Sequence, residues 1–429
     1  MPVPARTSQT ADVMRPSRDT HGQRPAGRFV PRFLCLVLLT AALLLPEVAL
    51  GAGWGPARRV SSQGGARLDS LHQVATSSGA LHLTHARLGR GGRADKVIHQ
   101  RSRDEGRTWS SERALFSSSG PHRHVVPNLA IAARGSTVVV VWRTRGASGW
   151  TLFARTSRDG GTTFQARVAV TSTGPSSALG VPAVAVGDAG IAVAWTSRRT
   201  GEIKLRRSTD QGRSFGRIRT LGRTGMSIRC RARVTDGLVG LAVAGSRIHV
   251  AWSAAAKGRC LAERIVMRSS MDGGRRWSQT RTVTAQQSYG WPELDARGQQ
   301  VVATVQLPSG GLLVARSGQE GSDWNARVLV PPKGHIRSAG DILSRPGGVV
   351  WVAYVDMRIV KGKVVSSRVA ARRSADGGRT FGSPSTVLAR KRRLRQAPNL
   401  ATQRDRPTVV VQSGALSGSP RGILAIRWR

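Results

Sequence analysis

From about residue 54 to the end, short runs of Val, Ile, Leu and Ala alternate with polar positions, and Gly, Ser, Asp or Pro breaks them repeatedly. Alternation of this kind marks half-buried strands, whereas no stretch in the region keeps the spacing of an amphipathic helix. The chain is therefore expected to be all-β. Many of the runs end in the same way. "KVIHQR", "TLFART", "EIKLRR", "RIVMRS", "LLVAR" and "RVAARR" each lead into a small, polar, glycine-containing loop closed by an aromatic residue.

Those loops are copies of one another. SRDEGRTW (102–109), SRDGGTTF (157–164), STDQGRSF (208–215), SMDGGRRW (270–277), SGQEGSDW (317–324) and SADGGRTF (374–381) share a serine, a central glycine and the closing aromatic, and five keep the aspartate at the third position. The fifth has Gln319 in its place. The copies recur at intervals of about 54 residues, a period that points to a propeller or solenoid. In each copy the sixth residue past the aromatic is apolar: Leu115, Val170, Leu221, Val283, Val330 and Val387. Each loop is thus expected to join the last two strands of a four-stranded unit. Glycine would supply positive φ, and Ser and Asp would hold loop N–H groups. Asp104, Asp159, Asp210, Asp272 and Asp376 are accordingly assigned to structure rather than to chemistry.

The first two strands of each unit repeat as well. VPNLAIAARGSTVVVVW (126–142), VPAVAVGDAGIAVAW (181–195), WPELDARGQQVVATV (291–305) and APNLATQRDRPTVVV (397–411) are related hairpins, with proline tolerated at the strand start. LHQVATSSGALHLTH (71–85), GLAVAGSRIHVAW (240–252) and ILSRPGGVVWVAY (342–354) are the same hairpin without the proline. Seven hairpins stand against six loops. The chain ends in a strand-like "GILAIRWR" (422–429) with no loop after it, and "GWGPARRV" (53–60) places Val60 six residues after Trp54. The expected fold is a seven-bladed β-propeller of four-stranded antiparallel blades, its N-terminal strand completing the C-terminal blade, with a six-bladed ring as the alternative.

The six loops resemble the Asp-boxes of the BNR-repeat superfamily that includes the sialidases, and the resemblance extends over about residues 53–429. It implies a propeller whose boxes lie away from the active-site face. In sialidases an arginine triad holds the substrate carboxylate, a tyrosine paired with a glutamate is the nucleophile, and an aspartate is the acid/base. The Arg-Ile-Pro type motif that usually opens the first blade is absent from this sequence. The nearest approach to a catalytic set is Tyr289 with Glu293, and Asp341 or Asp69 as acid.

Charge sharpens the picture. Lys and Arg number 67 against 23 Asp and Glu, a net charge of +44, and such a field attracts polyanions. Inter-blade loops and the loops joining second and third strands should share the face opposite the boxes. They carry Arg123, His124, Arg143, Arg198, Arg231, Trp291, Arg337, Arg358 and Arg395, a set suited to carboxylate, sulfate or phosphate groups beside a stacking ring. His122 and His124 alternate as metal ligands can, but no third ligand accompanies them, so neither metal nor cofactor is expected. No phosphate-cradling glycine loop and no dedicated nucleic-acid module is present.

Residues 1–51 have the form of a signal peptide: six arginines, the apolar run "FLCLVLLTAALLL" (33–45), and Ala49 and Gly51 before a proposed cleavage after Gly51. An uncleaved anchor is the alternative, and either places residues 52–429 outside the cytoplasm, without a membrane span after cleavage. Cys230 and Cys260 then form an even pair in an exported chain, expected to be a disulfide worth about 3–4 kcal/mol, two free thiols being the alternative. The functional expectation is a secreted, monomeric propeller that binds acidic glycans or other anionic polymers without cleaving them. An exo-α-sialidase type of glycoside hydrolase and a protein-docking scaffold are the alternatives.

Overall fold

In the computed structural model, residues 53–60, 73–77, 79–88, 94–118, 124–226, 239–259, 262–288, 292–390, 398–413 and 422–429 are described. They form 28 strands, β1 to β28 in chain order, and one short 3-10 turn. Four consecutive strands make a blade. Blade 1 is β2 (Gln73–Ser77), β3 (Ala80–Leu88), β4 (Ala94–Ser102) and β5 (Arg113–Ser117); blade 2 is β6 (His124–Arg134), β7 (Thr137–Gly146), β8 (Gly149–Ser157) and β9 (Val168–Thr173). Blade 3 is β10 (Ala183–Gly187), β11 (Gly190–Thr196), β12 (Glu202–Ser208) and β13 (Arg219–Arg223); blade 4 is β14 (Val239–Ala244), β15 (Arg247–Ala254), β16 (Arg264–Ser270) and β17 (Arg281–Thr284). Blade 5 is β18 (Glu293–Arg297), β19 (Gln300–Gln306), β20 (Leu312–Ser317) and β21 (Asn325–Leu329); blade 6 is β22 (His335–Ser344), β23 (Val350–Val360), β24 (Lys363–Ser374) and β25 (Ser385–Arg390).

Blade 7 closes the ring. Its own strands are β26 (Asn399–Gln403), β27 (Arg406–Ser413) and β28 (Gly422–Arg427), and the fourth is β1 (Arg58–Arg59) from the other end of the chain. Arg58 pairs with Ala425, Arg59 with Leu424, and Trp54 bridges Trp428. The first strands of the seven blades neighbour one another in a closed circle, β2, β6, β10, β14, β18, β22, β26 and back to β2. The fold is the seven-bladed propeller with terminal strand exchange, not the six-bladed ring.

The core lies between blades. In β7, Val138, Val140 and Trp142 pack toward blade 1, and Val139 and Val141 toward blade 3. The second strand of a blade is buried on both faces, which explains its near-continuous run of Val, Ala and Trp. No helix among the described residues is long and apolar enough to cross a membrane.

Candidate functional site

The box loops are built to hold themselves. In the sixth, Ser374 Oγ donates to Asp376 Oδ1 at 2.7 Å and accepts from Gly378 N at 2.8 Å, while Thr380 donates to Asp376 from its N–H and, at 2.5 Å, its hydroxyl. These hydroxyl donors, Ser374 first, hold the Asp376 carboxyl well below the ordinary carboxylate range. The N–H bond recurs around Asp104, Asp159, Asp210 and Asp272, and the hydroxyl bond around the first three. Gly212 shows why the central position is glycine. Its φ is +86°, and an added Cβ would lie 2.2 Å from Thr156 Oγ1 of the preceding blade. The fifth loop keeps its carboxylate after all. Asp323, four residues after Gln319, accepts from Ser317 Oγ at 2.6 Å and from Gln319 N at 3.0 Å.

The apolar sixth residue beyond the aromatic proves to be a bulge. Leu115, Val170, Leu221, Val283 and Val387 each stand as the extra residue where the register between third and fourth strands shifts. Blade 5 has no such shift, so its pattern moves by one: Leu329 is buried and Val330 is exposed, contrary to the sequence pattern. A bulge residue leaves its carbonyl outside the ladder. The next blade supplies the donor. Arg155 Nη1 donates to Leu115 O at 2.6 Å, Arg268 Nη1 to Leu221 O at 2.9 Å, and Arg206 Nη1 to Val170 O. At the ring closure, Gln100 Nε2 reaches Val60 O at 3.4 Å. Each of these donors stands two residues before a box serine. That position marks a role in joining blades that the sequence analysis did not single out.

The channel is lined by the first strands and encloses about 1040 Å³. Glu293 and Asp341 both reach its wall, together with Asp295. Leu294 and Ala296 pack against the core between blades 4 and 5, so Glu293 and Asp295 project from the other side of β18. That alternation in "PELDAR" was the available signal for Asp295, which the sequence analysis did not single out. Asp295 Oδ2 accepts from Ser344 N at 2.6 Å, and Asp341 Oδ2 accepts from Leu400 N at 2.7 Å. Each carboxyl thereby ties its blade to the next. Burial pushes Asp295 up to about 6 and raises Asp341 as well, against the opposing pull of those N–H donors. At the box end of the channel, Arg134 pairs with Asp188 at 2.6 Å, Arg247 with Glu320 at 2.5 Å, and Arg345 with Asp405.

On the face opposite the boxes, blade 6 stands out. β23 and β24 run 11 and 12 residues, longer than the corresponding hairpin of any other blade, and turn through Lys361 (φ 47°) and Gly362 (φ 72°). Two consecutive positive φ angles are those of a type I′ hairpin. At the tip, Arg358, Lys361 and Lys363 are exposed and make no ion pair among the described residues. Below the tip, buried Asp356 accepts from Arg368 Nη2 at 3.0 Å and lies 2.9 Å from His335 Nδ1.

The remaining predicted positions divide four ways. Tyr289, Asp69, Arg123, Arg231, Trp291, Arg395, Cys230 and Cys260 lie outside the described residues. His124 opens β6. Arg198 is half-buried with partners of its own. Arg143 and Arg337 are buried between blades, where Arg143 Nη1 donates to Leu179 O and Arg337 Nη1 to Leu329 O at 2.6 Å. Arg337 also lies 5.0 Å from the centre of the Tyr354 ring, and Tyr354 is wholly buried. Among the described residues, no group of three or more His, Cys, Asp or Glu is arranged to hold a metal.

Residues 50–228, which include the closing strand and blades 1 to 3, match the BNR repeat-like domain. The match covers less than half of the chain, and the box loops of blades 4 to 6 carry the likeness through the rest. The chain is a seven-bladed propeller with a BNR repeat-like region. No curated protein matches it in sequence. Among solved structures this propeller is similar to an ulvan lyase of family PL25 bound to -[GlcA(1-4)Rha3S]-, at 11% identity and a TM-score of 0.54 over 86% of this chain and 95% of that one. It is also similar to the endosialidase of phage phi92, at 9% identity and a TM-score of 0.51 over 87% of this chain and 69% of the other. The α-L-arabinofuranosidase of Fusarium graminearum matches at 12% identity and a TM-score of 0.50 over 75% of this chain and 98% of the other. At such identities the likeness is one of fold.

Proposed function

We propose that this propeller binds acidic glycans on the face opposite its boxes and does not cleave them. The observation that carries the proposal is the blade 6 hairpin, whose tip presents Arg358, Lys361 and Lys363 to solvent with no carboxylate in contact. Three cations without partners on a projecting element suit a ligand bearing several carboxylates or sulfates. The fold is compatible with such a ligand, since the ulvan lyase structure holds a chain containing GlcA. Two features argue against hydrolysis. Tyr354 is sealed beneath Arg337, and Asp341 is already engaged by a backbone N–H of blade 7.

The glycoside hydrolase reading keeps one observation in its favour, that Glu293 and Asp341 line the same channel. A single preparation tests both. The wild-type protein is expected to leave immobilised heparin only at high salt, R358Q/K361Q/K363Q to leave at clearly lower salt, and neither to release the reporter from a fluorogenic sialoside. Release that is abolished by Glu293→Gln or Tyr289→Phe would establish the hydrolase instead.

A further inference from the structure

The box face carries charge that the loops themselves do not use. Arg107, Arg213, Arg275 and Arg379 occupy one equivalent position, three residues after the box aspartate, in the first, third, fourth and sixth loops. Arg103 and Arg276 flank two of the same loops. All six side chains are exposed, and none makes a hydrogen bond or ion pair among the described residues. The four aspartates of these loops do not neutralise them in place. Asp104, Asp210, Asp272 and Asp376 spend their oxygens on serine and threonine hydroxyls or on loop N–H groups, and so are turned into the loop. An anion approaching this face meets guanidinium groups first.

The contrast with Arg155, Arg206 and Arg268 is informative. Those three point between blades and end on carbonyl oxygens. The six on the loops serve no such purpose, and the propeller sets them around one rim. A single exposed ion pair contributes little. Several cations spaced around a rim gain from a ligand that repeats its charge along its length, because each contact raises the effective concentration for the next. Guanidinium groups suit sulfate and carboxylate in particular.

We infer that the propeller has two anion-binding faces and acts as a cross-linker of linear acidic polysaccharide. One chain lies against the blade 6 hairpin and a second across the box loops. The first contact rests on the function proposed above; the second rests on the box arginines alone. Bridging by a single protein joins chains into a network, a property that one binding face cannot confer on a monomer.

The test mixes heparin, as a linear sulfated polysaccharide, with protein shown to be monomeric by sedimentation. At low salt the wild type is expected to form light-scattering assemblies that dissolve again in excess heparin, as each protein then meets separate chains. R107Q/R213Q/R275Q/R379Q is expected to keep its melting temperature and still to be held by heparin through the hairpin face, though to lower salt, but to form no assemblies. Its binding should also depend less on salt, with the log–log slope shallower by roughly 3 if all four contacts are lost. Assemblies from the quadruple variant equal to those of the wild type would overturn the inference. So would a wild type that binds heparin without scattering, which would leave glycan binding by the hairpin face standing. A wild type that does not bind heparin at all would overturn both.

Discussion

Asp323 and Asp295 show how little a residue's place in a motif decides its role. The fifth box lacks its aspartate at Gln319, yet a carboxylate returns from Asp323 to accept from the same serine. Asp323→Asn exchanges a charged acceptor for a neutral one, and a loss of about 1–2 kcal/mol in chemical denaturation is expected. Gln319→Ala should change little, because its side chain makes none of the loop's bonds. Asp295 acts in the opposite sense. Its folded-state pKa is raised to about 6 by burial. A raised pKa means that the folded protein binds the proton more tightly than the unfolded chain does. Stability from this group is therefore full in acid and is lost as pH rises through about 6. Asp295→Asn keeps an acceptor for Ser344 N and removes the charge. The variant should match the wild type at pH 4 and exceed it at pH 8 by on the order of 1–2 kcal/mol, a difference that melting curves at the two pH values would measure. Equal melting temperatures at both would show that Asp295 stays ionised at no cost.

At the scale of the element, the closing strand is the feature that the sequence described most completely. Six boxes and seven first hairpins left one fourth strand missing, and Trp54 and Val60 carried its signature. In the fold, Val60 N donates to Ile423 O at 2.8 Å and its own carbonyl meets Gln100, as bulge carbonyls meet arginines in other blades. Trp54 stacks edge-on against Trp428 at 5.2 Å and Trp351 at 6.0 Å, and its Nε1 donates to Ser385 Oγ at 3.0 Å. Trp54→Ala should therefore cost about 2–4 kcal/mol and expose blade 7 to proteolysis first, with the remaining blades cut later. Uniform cleavage of all blades would argue against closure through this strand. The bulges were less legible. An apolar sixth residue marks them in sequence, but whether the register shifts depends on pairing across the blade. Val330 shares the pattern and is turned outward where blade 5 lacks the extra residue.

Over the whole molecule, periodicity made the ring legible, while the face proposed for binding was legible only in outline. Loops could be assigned to a face by counting strands, which placed Arg358 correctly on the hairpin of blade 6. Counting could not tell which arginines turn inward. Arg143 and Arg337 belong to the same face in sequence, and both are buried between blades because second-strand and first-strand side chains there face a neighbour. Likewise, the carboxylates Glu293 and Asp341 line one channel, and of the backbone donors that occupy Asp341, Leu400 N comes from a strand distant in sequence. Among the described residues, the hairpin tip and the box loops both carry exposed cations that no carboxylate meets.

The most direct measurement is isothermal titration of the wild type and of R358Q/K361Q/K363Q with a uronate-containing oligosaccharide of defined length, the ligand being recovered afterwards and sized. Saturable binding that weakens about tenfold or more in the variant, roughly half a kcal/mol for each cation removed, is expected, with the ligand recovered intact. Equal affinity of the two proteins, or a ligand recovered shortened, would contradict it.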